Sequence, residues 1–142
     1  MTKKDDFEDG LEHDHEEAVK RFRKSAEQGH SPAQCALGFA YANGIGVEQD
    51  FEEAIKWYSE AAKQGDASAQ YHLGWMYDTG IGVEQDDEEA VKLFRKAAEQ
   101  GHPQSQCRMG LMYDTGKGLE QDDKEAVKWY RKAAEQGLAE AQ

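Results

Sequence analysis

The side chains that could carry chemistry in this sequence are two cysteines, five histidines and 29 carboxylates. Nucleophilic catalysis requires a nucleophile, a nearby base and an acid that orients the base. No histidine stands at a position that matches Cys35 or Cys107, and the carboxylates recur in triplicate at the starts of predicted helices. Because a catalytic site needs residues that break such repetition, the sequence predicts a protein that is not an enzyme.

Metal and cofactor sites are not expected either. The acidic segments read EQDFEE, EQDDEE and EQDDKE, and they lack the alternating oxygen ligands and terminal Glu of a calcium loop. His13 and His15 could hold a metal weakly, but no Cys or further His stands at ligand spacing. Three Gly-x-Gly pairs lack the preceding strand and the following Lys-Ser/Thr of a phosphate loop. We therefore predict no metal and no cofactor.

Charge restricts the class of partner. The net charge is −12, from 29 acidic and 17 basic residues. Binding to nucleic acid or to an anionic membrane surface needs clustered Lys and Arg, so neither partner is expected. A negative surface favours a polypeptide of basic or mixed character.

Two observations bear on the compartment. No apolar run approaches the roughly 20 residues needed to span a bilayer, and the first ten residues lack the apolar core of a secretory signal. We expect a cytoplasmic protein as written, or a periplasmic or secreted one if the native N-terminus has been removed. Cys35 and Cys107 occupy equivalent positions two repeats apart, beyond the ~7 Å reach of a disulfide, which predicts two free thiols.

A 36-residue period organises the chain, because nearly the same run begins at Leu37, Leu73 and Met109. Such a period predicts stacked helix-turn-helix units, each contacting only its neighbours. We divide the chain into a disordered or loop lead-in at 1–13, a half repeat of helix B alone at 14–29, full repeats at 30–65, 66–101 and 102–137, and the start of a fourth helix A at 138–142.

Each repeat reads as a helix A, a glycine-containing turn and a helix B. Four capping boxes mark the starts of the B helices, at Asp14/Glu17, Asp50/Glu53, Asp86/Glu89 and Asp122/Glu125. Apolar residues at helical spacing predict the core face of each A helix, and an alanine-rich stripe with an aromatic residue predicts that of each B helix. Gly38, Gly74 and Gly110 lie in mid-helix, which predicts close approach of the partner helix.

The repeated pattern, AQ..LG..Y..G.GV.QD..EA..WY.KAA..G, resembles the Sel-one-like repeat, a relative of the tetratricopeptide repeat, over about residues 10–142. Leu93 and Phe94 replace the usual Trp-Tyr pair, and Met109 replaces the usual Leu. The resemblance implies an all-α, right-handed superhelix with the A helices on the concave surface and the B helices on the convex surface. It also implies a non-catalytic adaptor, since members scaffold complexes in signalling, protein quality control or bacterial host interaction.

The face of helix A opposite the core is where binding would occur. Phe39, Trp75 and Leu111 are one position repeated three times, and each is large and apolar. Such a row is typical of an interaction site, although superhelical curvature could instead bury it against neighbouring A helices. The complete set of predicted partner-binding residues is Cys35, Phe39, Asn43, Tyr71, Trp75, Asp78, Cys107, Leu111 and Asp114. Asp78 and Asp114 favour a protein or peptide with apolar anchors and a Lys or Arg.

Three interpretations of function remain open from the sequence. The first is a protein-protein interaction scaffold that binds a peptide or partner protein on the A helices. The second is a structural spacer within a larger repeat protein. The third, which only the resemblance to bacterial relatives implies, is a hydrolase of cell-wall-like substrates. Both ends fall inside a repeat, so we expect either a fragment of a longer array or a short protein, with end-to-end self-association possible.

Overall fold

Helices account for every regular element in the part of the chain that the structure, a computed structural model, describes: the backbone of residues 3–141 and the side chains of residues 12–137. The helices are α1 (Lys3–Glu27), α2 (Ser31–Asn43), α3 (Phe51–Lys63), α4 (Ala67–Thr79), α5 (Asp87–Glu99), α6 (Pro103–Thr115) and α7 (Asp123–Ala141). The even-numbered helices are the A helices and the odd-numbered helices are the B helices. The predicted all-α repeat with a 36-residue period is confirmed.

The chain divides into two compact units. Unit 1 comprises residues 1–64 with α1–α3, and unit 2 comprises residues 65–142 with α4–α7. The core of unit 1 contains Val19, Ala26, Ala33, Leu37, Ala40 and Trp57. One core cluster of unit 2 contains Ala90, Val91, Phe94, Ala98, Met109, Met112 and Trp129. In both units the predicted core face of helix A meets the alanine-rich stripe of helix B.

Small residues allow this close packing of A on B. A Cβ atom at Gly38 would lie 2.8 Å from the ring of Tyr58, and one at Gly110 would lie 2.6 Å from the ring of Tyr130. Both distances are shorter than a tolerated carbon–carbon contact. The predicted compensation for a mid-helix glycine, close approach of the partner helix, is therefore confirmed.

Capping side chains begin the B helices as predicted, with one difference. Asp86 Oδ1 accepts a hydrogen bond from the backbone N–H of Glu89 at 3.1 Å, and Asp50 and Asp122 do the same in their repeats. The N–H of Asp86 donates to the carbonyl of Tyr77 at the end of helix A, at 3.0 Å. Because this carbonyl satisfies the N–H, the reciprocal Glu contact of a capping box is not needed, and the turn ties helix A to helix B.

The N-terminal boundary differs from the prediction. The helix α1 begins at Lys3, so the segment 1–13 is not a loop where the structure describes its backbone, and Asp14 lies inside the helix instead of capping it. The other A–B turns begin with a glycine in the left-handed conformation, such as Gly44 with φ 66°. The aligned residue here is Glu8, for which that conformation is costly, so the sequence does not favour the reversal.

The C-terminal boundary also differs. The helix α7 runs from Asp123 to Ala141, so residues 138–141 continue helix B instead of beginning a fourth helix A. At the equivalent boundary before α4, Asp66 caps the new helix by accepting the N–H of Ala69 at 2.9 Å. Leu138 occupies that position, and because it carries no acceptor it cannot favour a helix start.

Candidate functional site

The three predicted anchor residues are among the most exposed large apolar side chains of the described residues. Phe39 is 44% exposed, Trp75 36% and Leu111 43%. The preceding residue in each A helix is a buried glycine, and the residue that follows is buried as well. The structure therefore points these three side chains away from the core of their own repeat. We call the helix A position that Phe39, Trp75 and Leu111 occupy in successive repeats the anchor position.

The carbonyl of each anchor residue is already hydrogen-bonded within its own helix. Asn43 donates its amide to the carbonyl of Phe39 at 2.9 Å. Thr79 and Thr115 donate their hydroxyls to the carbonyls of Trp75 and Leu111, each at 2.9 Å. The side chain of Asn43 therefore contributes to the end of its helix, although it remains exposed.

Tyr71 is half-buried and packs against the core. Its ring centroid lies 5.1 Å from that of His102 and 5.8 Å from that of Phe94. The equivalent positions carry cysteine: Cys35 is half-buried and Cys107 is exposed, and neither forms a disulfide. Tyr71 thus contributes to packing within unit 2, and only part of its surface is accessible to a ligand.

Asp78 is buried, unlike the exposed Asp114 that holds the same position in the next repeat. Lys117 Nζ lies 2.7 Å from one carboxylate oxygen of Asp78, and an Arg108 nitrogen lies 4.0 Å from the other. The hydrogen bond from Lys117 to Asp78 raises the pKa of Lys117. Asp78 therefore does not offer a free negative charge to a basic ligand, whereas Asp114 does.

A cavity of about 220 Å³ opens beside the anchor residue Leu111 in unit 2. It is lined by Asp78, Arg108, Leu111, Met112, Thr115 and Lys117. The lining combines an apolar wall with the ion-paired cluster around Asp78. The volume is smaller than the roughly 300–1,000 Å³ of a site for a whole small molecule, and it suits a single side chain or terminus of a larger ligand.

The sequence interpretation missed a set of buried glutamines. In unit 2, Gln106 donates its amide to the carbonyl of Ala98 at 3.2 Å and accepts from Gln136 at 2.7 Å. Gln34 forms the same pair of bonds in unit 1, with Ala26 and Gln64. Each glutamine therefore links helix A to two B helices. The sequence signal for these glutamines is the repeated AQ of the pattern.

Two further findings concern metal binding and membrane-spanning helices. No group of three or more His, Cys, Asp or Glu side chains among the described residues could hold a metal ion. Within the same part of the chain, none of the helices combines the length and apolar character required to cross a bilayer.

The chain is similar to known repeat proteins. A sequence-family profile, the Sel1 repeat, matches residues 7–30, 31–66, 67–102 and 103–138. No curated protein matches the chain. Proteins built from Sel1 repeats are typically non-catalytic scaffolds for protein interactions.

Several solved structures are similar. A protective antigen of uropathogenic Escherichia coli strains, displaying an SLR fold, is 51% identical with a TM-score of 0.80, over 82% of this chain and 25% of that one. A Sel1 repeat protein from Oxalobacter formigenes is 42% identical with a TM-score of 0.82, over 85% of this chain and 48% of that one. The chain thus spans half or less of the length of these two relatives.

A third similar structure is Helicobacter pylori cysteine-rich protein B, with 24% identity and a TM-score of 0.67, over 84% of this chain and 90% of that one. At this identity the similarity concerns the fold alone. Together with the four matched repeats, these similarities confirm the helical-repeat solenoid that the sequence pattern indicated. The chain belongs to the Sel1 repeat family.

Proposed function

We propose that this protein is a non-catalytic scaffold that binds a peptide or partner protein on the outward faces of its A helices. The observation that carries the proposal is the exposure of Phe39, Trp75 and Leu111 at one repeated position. Exposed aromatic and large apolar side chains lose water-accessible area on binding, which makes them common anchors. The typical role of Sel1 repeat proteins supports the same function.

The charge of the partner is a separate part of the proposal. The net charge of −12 favours a polypeptide with basic residues. Asp114 is the exposed carboxylate nearest in sequence to the anchor Leu111 that could pair with a Lys or Arg. Because Asp78 is already paired with Lys117, we expect basic residues of the partner to lie near Asp114 and not near Asp78.

Affinity capture from cells of the source organism tests the anchor position. The wild-type protein is compared with Trp75→Ala and Phe39→Ala, and bound proteins are identified by mass spectrometry and their affinities measured. Loss of a buried anchor weakens binding by about 2 kcal/mol or more, roughly thirtyfold. Val127→Ala is the matched control, because Val127 is an apolar residue of helix B that is 51% exposed.

The expected result is that both anchor variants lose the same partner while the Val127 variant retains it. Circular dichroism of each variant checks that helicity is unchanged. A verified partner that binds the two anchor variants with wild-type affinity would exclude the anchor position as the binding site.

A further inference from the structure

The cavity beside Leu111 contains charged residues that the repeat does not require. The position of Arg108 is occupied by Ala36 and His72 in the other A helices, and the position of Lys117 by Ile45 and Ile81. These other repeats form the same A–B pairs without the charges. Arg108 and Lys117 are therefore local additions to unit 2, and packing alone does not explain them.

Arg108 is held only loosely. Its side chain is 32% exposed, and among the described residues its one recorded polar partner is Asp78, at 4.0 Å. A charge-assisted hydrogen bond between Arg and a carboxylate has a length of about 2.7–2.9 Å, so this separation is an ion pair without a hydrogen bond. The guanidinium carries five N–H donors, and they are available to a further acceptor.

Lys117 lies closer to the buried carboxylate of Asp78 than Arg108 does. It lies 2.7 Å from Asp78 and also 3.7 Å from Asp87. The hydrogen bond to Asp78 raises the pKa of Lys117. The positive charge of Arg108 acts in the opposite direction and lowers it, but the effect of Asp78 is larger. In the described part of the chain, Lys117 thus has two carboxylates within 4 Å, whereas Arg108 has only Asp78 at 4.0 Å, so the Arg108 guanidinium can pair with an additional anion.

The lining of the cavity indicates which chemical group of the ligand lies next to the anion. Leu111 and Met112 provide the apolar part of the lining, and Leu111 is exposed while Met112 is buried. A volume of about 220 Å³ accommodates one medium-sized apolar side chain with an adjacent polar group. A ligand that fits both parts carries a carboxylate next to an apolar residue.

We propose that this cavity binds a peptide carboxylate through the Arg108 guanidinium while an adjacent apolar side chain of the peptide contacts Leu111 and Met112. The carboxylate comes either from the C-terminus of a peptide or from an acidic side chain. The proposal names a ligand group for the peptide-binding function proposed above, and its biological role rests on that function. It adds an acidic element to a ligand whose other residues are expected to be basic.

Four N-acetylated tetrapeptides test the cavity directly, in two pairs. One pair ends in leucine, with either a free C-terminal carboxylate or a C-terminal amide. The other pair is amidated and carries either glutamate or glutamine next to leucine. Binding is followed by NMR on the whole protein, from the side-chain N–H signal of Arg108 and the methyl signals of Leu111 and Met112.

The expected result is that the carboxylate member of at least one pair binds about tenfold more tightly than its neutral counterpart, since hydrogen bonds to charged groups are stronger than neutral ones. The preference weakens as salt is added, because salt screens charges near the surface. The pair that shows the preference identifies the C-terminus or the side chain as the source of the carboxylate.

Arg108→Ala should abolish this preference, and alanine is compatible with the fold because Ala36 occupies the same position in α2. Arg108→Gln is a second variant that keeps a side chain of similar length. Arg131→Gln is the matched control, because Arg131 is an exposed arginine on α7 away from the cavity lining. This control should retain the preference.

Equal binding of carboxylate and neutral peptides, or a preference that survives in both Arg108 variants, would overturn the inference. These outcomes are distinct from failure of the proposed function, which is measured by the effect of Trp75→Ala on a protein partner. The peptides report on the cavity even if the anchor position contributes nothing to partner binding.

Discussion

At the scale of single residues, shape complementarity between A and B helices decides where the chain tolerates change. Gly38 lies against the ring of Tyr58, which is only 1% exposed. Gly137 lies in α7, and beyond the backbone of its own helix none of the described residues comes within 4 Å of where its Cβ would be. The same substitution at these two glycines should therefore have opposite effects.

We predict that Gly38→Ala lowers the free energy of unfolding by about 1–2 kcal/mol. Overpacking costs roughly 1–3 kcal/mol, and the better helix propensity of alanine recovers up to about 1 kcal/mol. Gly137→Ala should raise stability by up to about 1 kcal/mol, because it changes propensity alone. Urea denaturation followed by circular dichroism measures both, and a stabilised Gly38 variant would contradict the close packing seen here.

The candidate site was predictable from the sequence only in part. The outward direction of Phe39, Trp75 and Leu111 followed from helical spacing, because residues opposite a core stripe face outward. The burial of Asp78 did not, since it depends on Lys117, which lies 39 residues away and occupies a position that carries isoleucine in the other turns. Contacts that repeat can be read from a period, whereas a contact made once cannot.

At the scale of the helix, the start of α6 couples packing to protonation. His102 is the N-cap, and its ring nitrogen Nδ1 lies 3.3 Å from the N–H of Ser105 and 2.8 Å from the hydroxyl of that residue. Its ring also lies beside the ring of Tyr71. Burial and the neighbouring His72 lower the pKa of His102, and the charge of Asp66 opposes the shift.

This lowered pKa predicts a loss of stability in acid. The folded protein binds a proton at His102 less readily than the unfolded chain does, so the unfolded state is favoured as the pH falls through the ordinary value of 6.5 toward the lower folded pKa. Above pH 6.5 the neutral His102 makes its full contribution to the free energy of unfolding. We predict that His102→Asn, which keeps an N-cap acceptor, reduces the difference in denaturation midpoint between pH 7.5 and pH 5. An unchanged difference would show that other groups account for the pH dependence.

The helix boundaries show what can be predicted at this scale. Starts with a capping acid, such as Asp50 and Asp86, agree with the sequence because a local hydrogen bond determines them. The boundaries near residues 13 and 137 differ from the prediction because Glu8 stands where the other turns have a left-handed glycine, and Leu138 stands where Asp66 caps α4. Without a capping residue after it, a glycine such as Gly137 remains inside a helix.

At the scale of the whole molecule, the contribution of a side chain to the free energy of unfolding depends on the position of its repeat in the array. Phe94 is completely buried, whereas the equivalent Tyr130 is 38% exposed. Val91 and Val127 differ in the same direction, at 7% and 51% exposed. Within unit 2, α5 is covered by α6, the helix A that follows it, and α7 has no such cover among the described residues.

We predict that Phe94→Ala lowers the free energy of unfolding by about 3–5 kcal/mol, the usual cost of removing a buried phenylalanine ring. Tyr130→Ala should cost less than half as much, because water already reaches that ring in the folded state. Denaturation experiments on both variants under one set of conditions make the comparison. Equal losses would contradict the burial difference between the two repeats.

The central claim is that the A helices carry the binding surface. Hydrogen exchange measured by mass spectrometry on the whole protein, with and without a partner obtained by affinity capture, tests this claim most directly. We predict that the partner slows exchange in α4 and α6, around Trp75 and Leu111, and leaves α5 unchanged. Slower exchange confined to B helices, or no change in any A helix while the partner is bound, would contradict the claim.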